Sequence, residues 1–339
     1  MGTKLGELIK PIREITTLEA LQGRMFAVDA NNMLYQFISI MRDQDGTPLQ
    51  WDNRPTGHLI GILNRTTRLI TDFGIKLVLV FDGIPHQLKH AELERRKQAK
   101  IKAEKAWIKA RELGNRQIAF TKAVATSRLT KNMISDAKYL LTLLGIPFID
   151  APQEAEAQTA FMVQTDNRFW GANSHDYDSL LFGCPRQVRY LSISGKYRNI
   201  HSPSQPDIIE LPRLLAYHNI TRNQLIDFGI LLGTDFNEKV PRVGPKTGLR
   251  LIHDHNSLEE MPEKIRAQLP DNYEEIRQLF LQPKITTEYT IDFGTIQEEE
   301  LVTFLCQKRG FAINQVQSVI NRIKQATTQK TQVGLERWL

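Results

Sequence analysis

The stretch KLVLVFDG, residues 76–83, carries five apolar side chains in a row, Leu77 to Phe81, followed by an acid and a glycine. A strand with one wet face alternates polar and apolar residues. A short uniform run rich in Val, Leu and Phe instead suits a strand covered on both faces, as in a parallel sheet. Asp82 and Gly83 punctuate its end. MFAVDA, residues 25–30, repeats the pattern and brings Asp29 to its end. RFWGANSHDYD, 168–178, closes on Asp176 and Asp178, and PFIDA, 147–151, is a fourth run. Helical patterns fall between them, over about 56–73, 87–112, 121–144 and 153–164. Strand alternating with helix predicts an α/β fold with a mostly parallel central sheet flanked by helices.

The 339 residues suffice for one large domain or two modest ones, and 41% hydrophobic content suffices for a core. No apolar run reaches the roughly 18–20 residues of a membrane span. MGTKLGELIK has no apolar leader, and Gly6 stands where N-myristoylation calls for Ser or Thr. Cys184 and Cys306 form neither a metal-type spacing nor a disulfide framework. The expectation is a soluble intracellular protein. Net charge is +6, and between Leu88 and Arg111 nine Lys or Arg face three Glu, so this one segment equals the whole excess. Basicity focused in this way points to a polyanionic partner.

In α/β sheets, ligands bind beyond the carboxyl ends of the strands. Asp29, Asp82, Asp176 and Asp178 fall there. So do Glu154 and Glu156 in DAPQEAEAQTAF, residues 150–161, where Pro152 suits the first helical position. Residues two apart point nearly opposite ways on a regular helix, so the paired glutamates need a reason. Acids near a helix start also suit its dipole, which accounts for one of them but not for six at four strand ends. Converging carboxylates repel one another, and hard divalent cations such as Mg2+ or Mn2+ relieve the repulsion. Two ions about 4 Å apart can hold the attacking water and the leaving oxygen of a phosphodiester. Asp176-Tyr177-Asp178 is not an EF-hand, because the required Gly and final Glu are missing. No Ser/His/Asp elbow, Walker loop or HExxH competes. A seventh acid, Asp235, lies in ILLGTDFNEKVPRVGPKTGLRLI, residues 230–252. There a helix ends near Gly233, and the turn Gly244-Pro245-Lys246 opens another, as in a clamp on a phosphate backbone.

AVDANNMLYQF, VLVFDGIPHQLKHAELERR, APQEAEAQTAF, SHDYDSLLFG and LLGTDFNEKVPRVGPK, in this order and spacing, resemble the flap endonucleases of the structure-specific 5′ nuclease family. The resemblance runs from Gly2 to Leu339. It implies a PIN-like 5′ nuclease fold with a helical arch and a helix–turn–helix-type DNA clamp. It implies a single nuclease domain over 1–326, with the arch at about 83–130 and the clamp helices at about 220–255, and a flexible tail over 327–339. Two Mg2+ ions are implied, one held by Asp29, Asp82, Glu154 and Glu156 and one by Asp176, Asp178 and Asp235, with both glutamates in a first helical turn facing them. Lys89 and Arg96 match the basic pair that reaches the scissile phosphate. Tyr35 matches the aromatic that stacks on a terminal base, and Arg65 and Arg68 match duplex contacts. Gly2 would sit near the active site, and Gly244 and Lys246 would hold DNA. Gln332, Leu335, Trp338 and Leu339 follow the motif that docks on a sliding clamp (PCNA), with Leu339 in place of the usual aromatic. Where the family reads Gly-Ile-Gly-Pro-Lys, this chain reads Arg242-Val243-Gly244-Pro245-Lys246 after Pro241.

The implied activity is 5′ flap endonuclease with 5′–3′ exonuclease action at replication and repair junctions, by a monomer. The short tail suits an archaeal cytoplasmic enzyme; a eukaryotic one would be nuclear. Two rival readings are a junction-binding scaffold without catalysis and a metal-dependent phosphatase for small substrates. The full set of acids speaks against the first, and the basic segment with its VGPK turn against the second.

Overall fold

The structure, a computed structural model, describes residues 3–193 and 205–336, with 327–336 as backbone alone. Its strands are β1 Glu14–Ile15, β2 Met25–Asp29, β3 Gln50–Trp51, β4 Arg54–Pro55, β5 Lys76–Phe81, β6 Phe148–Asp150, β7 Gly171–Asn173, β8 Arg186–Arg189 and β9 Asp207–Glu210. Seven form one sheet in the order β1-β9-β8-β7-β2-β5-β6, and β3 and β4 pair as a separate hairpin. β6, β5, β2, β7 and β8 run parallel, and β9 and β1 add an antiparallel edge. The uniform run in KLVLVFDG follows from burial on both faces. Leu77, Leu79 and Phe81 pack with Phe26 and Val28 in one core, while Val78 and Val80 pack with Ala27 in another.

The chain leaves β2 for β5 on one side and later enters β7 on the other. The carboxyl ends of β2 and β7 therefore flank a topological switch point, where such sheets open a crevice. The long helix His90–Glu112 buries only Ala110 and pairs with Arg116–Val124 as an arch over that edge. Its root is fastened to the loop after the Ala30–Ile40 helix. Trp107 Nε1 donates to Asp45 O at 3.1 Å, and the Arg42 guanidinium donates to Ser127 Oγ at 2.9 Å and Gly46 O at 2.8 Å.

Three expectations change. The helix expected over 121–144 is two helices, Arg116–Val124 and Lys131–Leu143, because Thr130 turns extended and caps the second through the Met133 N–H. The helix expected from 153 begins at Ala155, and Pro152 precedes it. Ile84 N–H donates to Pro152 O and Gly83 N–H to Gln153 O, which holds the bend at 152–153 against the end of β5. The last helix, Ile313–Glu336, runs on into the segment 327–339 expected as a tail.

Gly83 lies where this chain crosses: a Cβ there would meet Ala151 O at 2.1 Å and Pro152 O at 2.4 Å. Gly83→Ala should destabilise the protein by about 1–3 kcal/mol, the usual cost of overpacking, measured by urea unfolding. An unchanged midpoint would contradict the close approach.

Candidate metal and phosphate site

Asp29 is the last residue of β2 and the N-cap of the Ala30–Ile40 helix, where its carboxylate accepts the Asn32 N–H at 2.9 Å. Asp82 follows β5 and accepts the otherwise unused Ala155 N–H at 2.8 Å, so it caps the helix that carries the glutamates. Glu154 is that helix's N-cap, with extended backbone, and Glu156 lies in its first turn. The opposite-face rule does not separate them, because Glu154 stands outside the helix. Asp176 lies in the loop after β7, and Asp178 opens the short helix Asp178–Leu181. Asp235 follows the Arg222–Leu232 helix, after Gly233.

These seven acids from separate stretches feel one another. Burial pushes the Asp29 carboxyl well above the usual range, with Asp82 and Asp176 adding like charge. Glu156 is raised in the same way, by burial and then by Asp178, Asp29 and Asp176. Glu154 is raised by burial against the opposing pull of Lys89. Asp178 is pushed up to about 6, by burial and then by Asp235. Asp29 and Asp178 are only 7% and 5% exposed. Neutral donors tether the set. Asn31 Nδ2 holds Asp82 at 2.8 Å, Asn32 Nδ2 holds Asp176 at 3.2 Å, Ser174 Oγ holds Glu156 at 2.8 Å, and the Thr3 N–H holds Asp178 at 2.7 Å. Asn31, Asn32, Ser174 and Thr3 escaped the sequence reading; the Asn-Asn pair one residue beyond the strand-end acid Asp29 was the available signal.

The basic expectations fall at the same place. The Lys89 ammonium pairs with Glu154 and, at 3.3 Å, with Asp235. Burial alone would push that ammonium down, but Glu154, Asp235 and Asp82 hold it raised. Arg96 pairs with Asp235 and with Glu92 at 2.7 Å. Among the described residues no three acids stand at ready ligand spacing; Glu154 and Asp235 are paired with these two cations.

Tyr35 is 37% exposed, not a core ring, and lies under the arch with Lys100 Nζ 5.0 Å above its centroid. Arg65 and Arg68 lie along Ile62–Phe73, away from the acids in sequence, and Arg68 sits 3.5 Å from Asp72. Gly244 caps the Pro245–His255 helix, with open space where a Cβ would be, and Lys246 is exposed. Arg242 takes a left-handed φ of 63°, uncommon for a side-chain-bearing residue. Gln332 and Leu335 belong to backbone of the last helix. Gly2, Trp338 and Leu339 lie outside the described residues.

Residues 1–103 match the XPG N-terminal domain family and residues 145–235 the XPG I-region. Flap endonuclease 1 of Archaeoglobus fulgidus is 42% identical over 100% of both chains, and that of Nitrosopumilus maritimus is 41% identical over 100% of both. Among solved structures, flap endonuclease-1 from Methanococcus jannaschii superposes with TM-score 0.76 at 29% identity, covering 97% of this chain and 100% of that one. The catalytic core of Rad2 in complex with DNA substrate shares the fold, with TM-score 0.71 at 22% identity over 94% and 99%.

Asp178 holds its proton to about pH 6, whereas an unfolded carboxyl releases it near the usual value of 3.8. Its contribution to stability is therefore lost as pH rises from about 4 through about 6 and stays lost above. Asp29 and Glu156 act in the same direction. With chelator present, Asp178→Asn should stabilise the protein at pH 8 by on the order of 2 kcal/mol, and by much less at pH 4. Unfolding curves at the two pH values check this; an equal shift at both would contradict it.

Proposed function

The chain belongs to the flap endonuclease family, and on that premise we propose how its residues remove 5′ flaps from DNA: two Mg2+ ions held by seven carboxylates, with the arch guiding the flap. The observation that carries this reading is that Asp29, Asp82, Glu154, Glu156, Asp176, Asp178 and Asp235 lie within one another's electrostatic range, with Lys89 and Arg96 paired to Glu154 and Asp235. The donor set fits hard divalent ions, since its donors are carboxylate oxygens in a pocket where like charge is costly. Asp29, Asp82, Glu154 and Glu156 hold the first ion and Asp176, Asp178 and Asp235 the second, with Mn2+ a workable substitute. Such ions supply a water acidic enough to attack phosphorus near neutral pH and positive charge for the leaving oxygen.

The chain's own side chains do the remaining work. Lys89 and Arg96 present positive charge to the scissile phosphate in a pocket with little water, where it counts most. Tyr35, exposed beside Lys100, offers a flat face to the terminal base. Arg65 and Arg68 contact duplex phosphates. Gly244 lets the backbone approach a phosphate at the helix N-terminus, with Lys246 and Arg242 adding charge. The same chemistry applied to a recessed end gives 5′–3′ exonuclease activity. Residues 1–326 act as one nuclease domain, and 327–339 as a tail whose Gln332, Leu335, Trp338 and Leu339 dock on a sliding clamp (PCNA). The enzyme works as a monomer. Among the described residues no helix is long and apolar enough to cross a membrane, and the archaeal relatives favour a cytoplasmic location.

Labelled double-flap DNA incubated with and without Mg2+ tests the reading. Cleavage should require the ion, and Asp178→Ala should abolish it while the protein still binds the junction. Turnover by that variant at the wild-type rate refutes the assignment. Lys89→Ala should slow single-turnover cleavage by about 10²–10³-fold, the range for loss of one preorganised charge donor. Junction binding should fall steeply with salt, at about −0.9 in log–log slope per phosphate contacted; a flat profile would favour the small-substrate phosphatase.

A further inference from the structure

Lys89 and Arg96 sit on carboxylates that the cations also need. Lys89 bridges Glu154 and Asp235, and Arg96 takes the other oxygen of Asp235, so both oxygens of that residue are engaged by the arch. The two cations lie at one end of one element: Lys89 closes the turn Gln87–Lys89, and Arg96 follows in the second turn of His90–Glu112. We propose that Lys89 and Arg96 are exchangeable internal counterions, which divalent cations displace from Glu154 and Asp235, loosening the foot of the arch. This rests on the reading that Glu154 and Asp235 are cation ligands.

The pairing is built for exchange. Two single charges cannot neutralise seven acids, so two divalent ions compete effectively for the same oxygens. Arg96 has a second partner, Glu92, one turn back on its own helix at 2.7 Å, and keeps it when Asp235 is taken. The recorded acid partners of Lys89 all lie on the pocket side, so it leaves with the foot. The root of the arch is held independently by Trp107 on Asp45 and Arg42 on Ser127, which confines the loosening to the foot. A displaced ammonium and guanidinium are then available to a phosphate. By linkage, any phosphate that draws them off the acids must raise cation affinity by the same factor. Cations and DNA therefore favour one another through these two side chains.

The test is calorimetric titration of Mg2+ into the DNA-free full chain, as wild type and as Lys89→Gln with Arg96→Gln. The variant should bind Mg2+ at least roughly fivefold tighter, the low end of ordinary coupling between sites. Equal or weaker binding overturns the exchange alone, whereas a wild type with no saturable Mg2+ binding overturns the metal reading as well. Should the variant not fold, limited trypsin digestion of wild type still decides. Cutting between Lys89 and Lys100, at the foot, should be several-fold faster with Mg2+ than with chelator; an unchanged or slower rate overturns the proposal.

Discussion

Mutual repulsion among carboxylates is the constraint on which the rest of the molecule depends. Parallel strands all point their carboxyl ends the same way, so acids placed after β2, β5 and β7 arrive at one edge by topology alone. Hydrogen bonds tie them in place, even at Asp82, which is exposed. Asp29 and Asp82 are held by helix-start N–H groups, Asp178 by the Thr3 N–H, and Glu156 by Ser174. The fold thus fixes groups that on their own would separate, and a site that violates ordinary burial rules is where function is expected.

The arch is the complementary half. A helix of 23 residues that buries only Ala110 gains almost nothing from apolar packing, so charge and its two ends define its position. Its root is fixed by contacts that involve none of the pocket's acids, the Trp107 and Arg42 hydrogen bonds and Gly46, whose left-handed turn abuts Ala123. Its foot is fixed by ion pairs to the acids. One end is insensitive to the charge state of the pocket and the other depends on it.

Much of this was legible in the sequence because it is periodic or local. The uniform run Leu77–Phe81 meant burial on both faces, and the acids after such runs meant a site. The arch announced itself as charge without apolar spacing. The misses were of other kinds. The break at Ser127–Thr130 depends on one side-chain cap, and the extended backbone of Glu154 depends on Gly83 and Ile84 bonding to residues seventy positions away in sequence. The tethers Asn31, Asn32 and Ser174, and the pairing of Lys89 with Glu154 and Asp235, join distant segments through single contacts, which no pattern along one chain reveals.

The central claim is that these acids are crowded enough to keep protons near pH 6 that bound cations displace. Titration of Mg2+ into the protein at pH 6 in two buffers of different ionisation heat counts the protons set free on binding. The account predicts net proton release at pH 6, with Asp178 at about 6 and Asp29 and Glu156 raised, and progressively less as pH rises. Magnesium binding with no proton release at pH 6 would contradict it.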